Sequence, residues 1–128
     1  AMSEENVEIV RRARERGHGD PEFFSPDVVY RPIAIWADSQ ECRGLDELRR
    51  FHENIAEIFA GLRVDNESYH DYGDAVSVRV EFSGVARASG VPITGKVFSV
   101  YWLRDDAIFR VEDYTERVDV LKAVGLEG

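Results

Sequence analysis

Apolar residues recur along this chain with two different periods, and the change between them divides the sequence. Val7, Val10 and Ala13, with Ile9 beside them, fall on one helical face and predict a helix over about residues 4–16. Ser3 is the expected N-cap, and Glu4 and Glu5 in the first turn complement the helix dipole. The run Gly17-His18-Gly19-Asp20-Pro21 ends that helix. Residues 21–25 predict one short helical turn, and Val28 to Arg31 a short strand closed by Pro32. The segment from Pro32 to Gly44 has no period but contains Ile33, Ile35 and Trp36, so it must cover something: a lid on the core or the rim of a pocket. Leu45, Leu48, Phe51, Ile55, Ile58 and Phe59 then give the clearest amphipathic helix, with Gly61 as its C′ residue.

Beyond Gly61 the period becomes two. Leu62–Tyr72, Ala75–Arg87, Val91–Leu103 and Ala107–Arg117 read as four long strands joined by short turns, which makes them antiparallel. In the second, Val76, Val78, Val80 and Phe82 share one face, and Ser77, Arg79, Glu81 and Ser83 the other. Asp105-Asp106 is a two-residue hairpin loop, and Gly84 and Gly95 are candidate bends or bulges. Asp119 to Val124 can form a last helical turn stopped by Gly125. The predicted fold class is α+β, with the long helix packed on a curved, mainly antiparallel sheet.

The 128 residues suit a single domain over 1–128, with Ala1 ahead of Met2 read as a cloning remnant. A net charge of −9 argues against nucleic acid and anionic membrane as partners. The arginines at 11, 12, 14 and 16 are read as a solvated helix face. A single cysteine, Cys42, cannot form an internal disulfide, so a reducing, cytoplasmic location is expected. The histidines His18, His52 and His70 show no metal-binding spacing, and no metal or organic cofactor is implied.

Several segments together resemble SnoaL-like proteins. They are the opening Ser3-Glu4-Glu5-Asn6-Val7-Glu8-Ile9-Val10-Arg11-Arg12-Ala13, then Gly19-Asp20, Pro26-Asp27-Val28-Val29, Arg43-Gly44-Leu45-Asp46-Glu47-Leu48, Ser89-Gly90-Val91, and Asp113-Tyr114 with Leu121 and Ala123. The resemblance covers nearly the whole chain and places it in the superfamily of cone-shaped domains like nuclear transport factor two. It implies helices packed in the concave face of a strongly curved sheet (a cystatin-like cone), a deep cavity and a homodimer. The superfamily holds polyketide cyclases, ketosteroid isomerases, epoxide hydrolases, dehydratases and members with no known reaction, so function must be argued from residues.

The isomerase pattern places an aspartate before a proline after the first strand; here Arg31 precedes Pro32, and a cation cannot be the base. The limonene epoxide hydrolase pattern, Arg-x-Asp on one strand and Asp before Tyr on the last, is similar to Arg79-Val80-Glu81 and Asp113-Tyr114. By that resemblance Arg79, Glu81 and Asp113 are the candidate catalytic trio, one carboxyl as base, the other as proton donor, the arginine orienting both. Its water-binding Tyr-x-Asn has no match, since Tyr30 lacks the asparagine. Charged alternation on an antiparallel strand otherwise marks solvent, which is the competing reading of Arg79 and Glu81.

Tyr30, Trp36, Phe51, Ile55, Phe59, Phe98, Trp102 and Tyr114 are candidates to line a cavity, or else ordinary core. His52, His70, Cys42 and Lys96 are weaker candidates, each also read as a boundary or surface residue. The function expected is binding of a small apolar, polyketide- or terpenoid-like molecule, with cofactor-free acid–base chemistry of hydrolase, cyclase or isomerase type. The alternative is a non-catalytic ligand-binding or dimerisation module. A nuclear-transport-like protein surface would need a large exposed apolar patch, which the sequence does not mark.

Overall fold

A computed structural model describes residues 3–33 and 41–126. The elements are α1 (Ser3–Arg16), β1 (Phe24–Arg31), β2 (Cys42–Arg43), α2 (Leu45–Ile58), β3 (Phe59–Asp71), β4 (Ala75–Ala86), β5 (Pro92–Arg104), β6 (Ala107–Tyr114) and α3 (Arg117–Ala123). The strands form one sheet in the order β2-β1-β6-β5-β4-β3. Four successive long strands, β3 to β6, pair antiparallel as the hairpin pattern requires. The first strand departs from expectation: it is longer than Val28–Arg31, and it pairs parallel with β6 while pairing antiparallel with the two-residue β2. The short helical turn expected at residues 21–25 is a turn that runs straight into β1 at Phe24.

Both helices read from the period are present. α1 buries Val10 and Ala13 against the sheet and ends with Gly17 in the left-handed region, its N–H reaching Ala13 O. α2 buries Leu48 and Ile55. Its start is held from inside, because Glu47 reaches back to accept the backbone N–H of Arg43 at 2.9 Å. Its end corrects the sequence reading: the helix stops at Ile58 and Phe59 is already extended. Gly61 instead occupies a positive φ of 60° inside β3, where the register with β4 shifts between Ala60 and Arg63. The left-handed residue serves a bulge, not a cap.

Asp105 and Asp106 both adopt positive φ (53° and 63°), the conformation a two-residue hairpin of the right twist demands. β4 and β5 pair without interruption past Gly84 and Gly95, while on its other side Gly84 lies opposite the bulge in β3, where the register shifts between Ala60 and Arg63. Their small size is what matters. A Cβ on Gly95 would lie 2.6 Å from the ring of Phe82, its direct cross-strand partner, and one on Gly84 would lie 3.1 Å from Leu62 Cα.

The strict alternation of β4 resolves into two environments. Val76, Val78, Val80 and Phe82 join Val10, Ala13, Leu48 and Ile55 in the main core, so the apolar face looks toward α1 and α2. On the other face a smaller cluster of Ala75, Phe98, Val100 and Val120 is covered by α3, with Trp102 and Tyr114 packed against it.

Candidate functional site

Cross-strand register carries the inner face from β4 to β6. Val78 is opposite Ser99, and Ser99 opposite Asp113. Paired residues share a face, so Asp113 points toward the helices although its surroundings are apolar. There it is buried, and each oxygen accepts one hydrogen bond: Ser99 Oγ donates to Oδ1 at 2.7 Å, and the Tyr30 hydroxyl donates to Oδ2. Burial pushes its pKa up to about 6, with the hydrogen bonds from Tyr30 and Ser99 and the charge of Arg14 opposing the rise. Burial also holds the Tyr30 phenol well above its usual value, so it stays a donor.

These groups line a cavity of about 230 Å³ between the sheet and the two helices. Phe51, Ile55, Val80 and Val97 supply apolar wall, and His18, His52 and Arg63 line it as further polar side chains. Arg14 enters from α1 but is committed elsewhere: its guanidinium donates to Glu67 at 2.8 Å and to the Tyr101 hydroxyl at 2.9 Å. The two imidazoles stack, with centroids 3.8 Å apart and planes inclined by 10°. Burial lowers the pKa of both below the usual histidine range. For His18 the neighbouring His52 and Arg14 add to the effect; for His52 the Leu48 carbonyl opposes it.

The three charged residues singled out together in the sequence do not meet. Arg79 and Glu81 lie on the opposite face of β4 from Val78 and Val80, paired with each other at 3.2 Å and more than a third exposed. Glu81 also accepts from Asn66 at 3.0 Å. They line a shallow depression with Asp65, Thr94 and Lys96, while Asp113 lines the inner cavity. The reason is hydrophobic: the cone must bury the valine face of β4, which sends the charged face outward.

Among the expected lining residues Tyr30, Phe51 and Ile55 face the cavity. Phe59 packs against the main core without lining it. Phe98 and Trp102 belong to the outer cluster under α3, as does Tyr114, because they alternate with Val97, Ser99 and Tyr101. Trp36 lies outside the described residues. Cys42 is buried on β2, and burial raises its thiol above the ordinary value. His70 on β3 lies tilted against the ring of Tyr72, 4.7 Å away. Among the described residues no group of three or more His, Cys, Asp or Glu side chains is placed to hold a metal ion. No described helix is long and apolar enough to cross a membrane.

In the sequence His18 stands out as part of a helix terminator, between two glycines; both take positive φ, and Gly19 O accepts from Arg49 of α2 at 2.7 Å.

Comparison with known proteins agrees with this architecture. The chain matches the SnoaL-like domain over residues 13–111 and belongs to that family. No curated protein sequence matches it. Among solved structures, a protein from Jannaschia sp. CCS1, provisionally assigned as a SnoaL-like polyketide cyclase, superposes with a TM-score of 0.77 at 21% identity, covering 99% of this chain and 96% of that one. An NTF2-like protein from Burkholderia thailandensis gives 0.76 at 23% identity, over 96% and 97% of the two chains. TerC, co-crystallised with polyporic acid, gives 0.70 at 19% identity, over 94% and 98%. At such identities the likeness is one of fold.

Proposed function

We propose that the inner cavity binds a compact, largely apolar ligand of one or two rings, and that Asp113 carries out cofactor-free acid–base chemistry on it. The observation behind this reading is a buried carboxyl, raised to about pKa 6, lining an apolar cavity. A carboxyl of that pKa is ionised at neutral pH yet basic enough to take a proton from an activated carbon or hydroxyl. Tyr30 and Ser99 fix its orientation and leave lone pairs for the substrate. In this scheme Asp113 takes a proton from a carbon next to a carbonyl and returns it to another atom of the same molecule, so no external acid or cofactor is required.

The cavity volume of about 230 Å³ lies below the range of roughly 300–1,000 Å³ usual for drug-sized ligands, which favours a small polyketide- or monoterpenoid-like molecule over a polycyclic one. The polyporic acid bound to TerC and the cyclase assignment of the Jannaschia protein support oxygenated rings as the first class to try. Benzoylacetone is a suitable probe. Deuterium exchange at its acidic carbon should be accelerated by the protein, and Asp113→Asn should remove at least about a hundredfold of that acceleration. Equal rates for the two proteins would reject the assignment.

A second reading, a non-catalytic ligand-binding or dimerisation module, draws on the outward position of Arg79 and Glu81, which leaves Asp113 as the one carboxyl among the described residues that line the cavity. Binding of benzoylacetone without exchange would favour it. The homodimer implied by the family resemblance belongs to either reading, and a monomeric mass by light scattering at micromolar concentration would remove it.

A further inference from the structure

His52 sits in the middle of α2, and its Nδ1 lies 2.9 Å from the carbonyl oxygen of Leu48, one turn earlier. A carbonyl only accepts, so Nδ1 must carry the proton, and in the neutral ring Nε2 is left as a lone-pair acceptor. The ring is held on two sides, stacked on His18 at 3.8 Å and facing Tyr30 at 5.6 Å with an inclination of 28°. Its place and tautomer are thus fixed by backbone and packing before any ligand arrives. Nε2 has no hydrogen-bond partner among the described residues, and the ring lines the same cavity as Asp113.

Among the described residues Asp113 in its ionised form and His52 at Nε2 are the acceptors of the cavity, while the donors Tyr30 and Ser99 are spent on Asp113, Arg14 on Glu67 and Tyr101, and Arg63 Nε on Asp65; neutral His18 adds one N–H. A ligand offering only ether or ketone oxygens would leave Nε2 desolvated and unpaired, which is the unfavourable outcome for a buried polar atom. A ligand hydroxyl would satisfy it.

We propose that His52 is a ligand contact whose Nε2 accepts a hydrogen bond from a phenolic or enolic hydroxyl, so that the cavity selects small hydroxylated rings over their methyl ethers. This rests on the cavity being the ligand site, but not on any turnover there. The low basicity of His52 agrees with it, since protonation would convert the acceptor into a donor.

The test uses β-naphthol and its methyl ether as probes, with binding followed by calorimetry. The wild-type protein should prefer β-naphthol by about tenfold, and His52→Phe, which keeps a ring against His18, should erase the preference while leaving the ether's affinity nearly unchanged. Asp113→Asn should retain it. A preference that survives in His52→Phe, or vanishes in Asp113→Asn alone, assigns the hydroxyl to Asp113 and overturns the proposal. So does failure of both probes to bind, which would also remove the cavity reading. Should His52→Phe not fold, nitrogen NMR of the wild-type imidazole decides instead: Nε2 should resonate as the unprotonated nitrogen and move with β-naphthol but not with the ether. An Nε2 that carries the proton, or does not respond, is the contrary result. Because no exchange chemistry enters these measurements, hydroxyl selection and Asp113 catalysis can fail separately.

Discussion

The Tyr30 hydroxyl donates to Oδ2 of Asp113 across 83 positions of sequence, joining β1 to the end of β6 beside it. The parallel β1–β6 pairing makes this possible, since Tyr30 sits opposite Val111 and its side chain reaches two residues further along the same face. With Ser99 on the other oxygen, the carboxylate is oriented from both neighbouring strands.

Removing the Tyr30 donor changes the acid more than the fold. Tyr30→Phe deletes one hydrogen bond to the ionised form, so the Asp113 pKa should rise by about one further unit. The pH dependence of benzoylacetone exchange should move upward by the same amount, measured against wild type.

Asp113 itself should make stability fall with pH. Its folded pKa of about 6 lies above the ordinary value of 3.8, so between those limits the folded chain binds the proton that the unfolded chain releases. Stability contributed by the protonated form is complete below about pH 4 and is lost as pH rises through about 6, by up to about 3 kcal/mol. Asp113→Asn should flatten this window. Urea unfolding of the two proteins between about pH 4 and 7 checks the sign and slope.

Phe82 and Gly95 carry a purely structural prediction. A Cβ on Gly95 would stand 2.6 Å from the Phe82 ring, and Phe82 is buried. Gly95→Ala should destabilise by about 1–3 kcal/mol, the usual penalty of overpacking. Adding Phe82→Leu should recover part of the loss, because the two substitutions act on one contact, and a double-mutant cycle by urea unfolding measures that coupling.

Arg79 and Glu81 should be silent at the cavity. Their ion pair is exposed and partly solvated, so Arg79→Ala or Glu81→Gln should change stability by less than about 1 kcal/mol. Affinity for β-naphthol should be unaltered in both. A loss of binding in either variant would mean that the outer face communicates with the ligand site.

Much of the architecture was legible because it is local. The three–four spacing from Leu45 to Ile58 is α2, the alternation of Val76, Val78, Val80 and Phe82 is β4, and Asp105-Asp106 is the turn it was read as. What alternation does not state is which face turns inward. That depends on where α1 and α2 pack, and the resemblance to an Arg-x-Asp pattern pointed to the charged face. The same ambiguity misplaced Phe98 and Trp102, which lie one position out of phase with the inner Val97, Ser99 and Tyr101. Asp113 and Tyr30 were named individually, but their contact comes from a parallel pairing between distant strands that no local pattern encodes. Gly61 illustrates a milder limit: its need for positive φ was evident, but a helix end and a bulge both satisfy it.

The most direct measurement is a carbon NMR titration of the Asp113 carboxyl, from about pH 3 to pH 9, in the free protein. The account predicts a midpoint near 6, the value its burial imposes, and a shift of that midpoint when benzoylacetone is added. A midpoint near the ordinary 3.8, unmoved by ligand, would mean that Asp113 is a solvated structural carboxylate, and the acid–base reading of the cavity would be wrong.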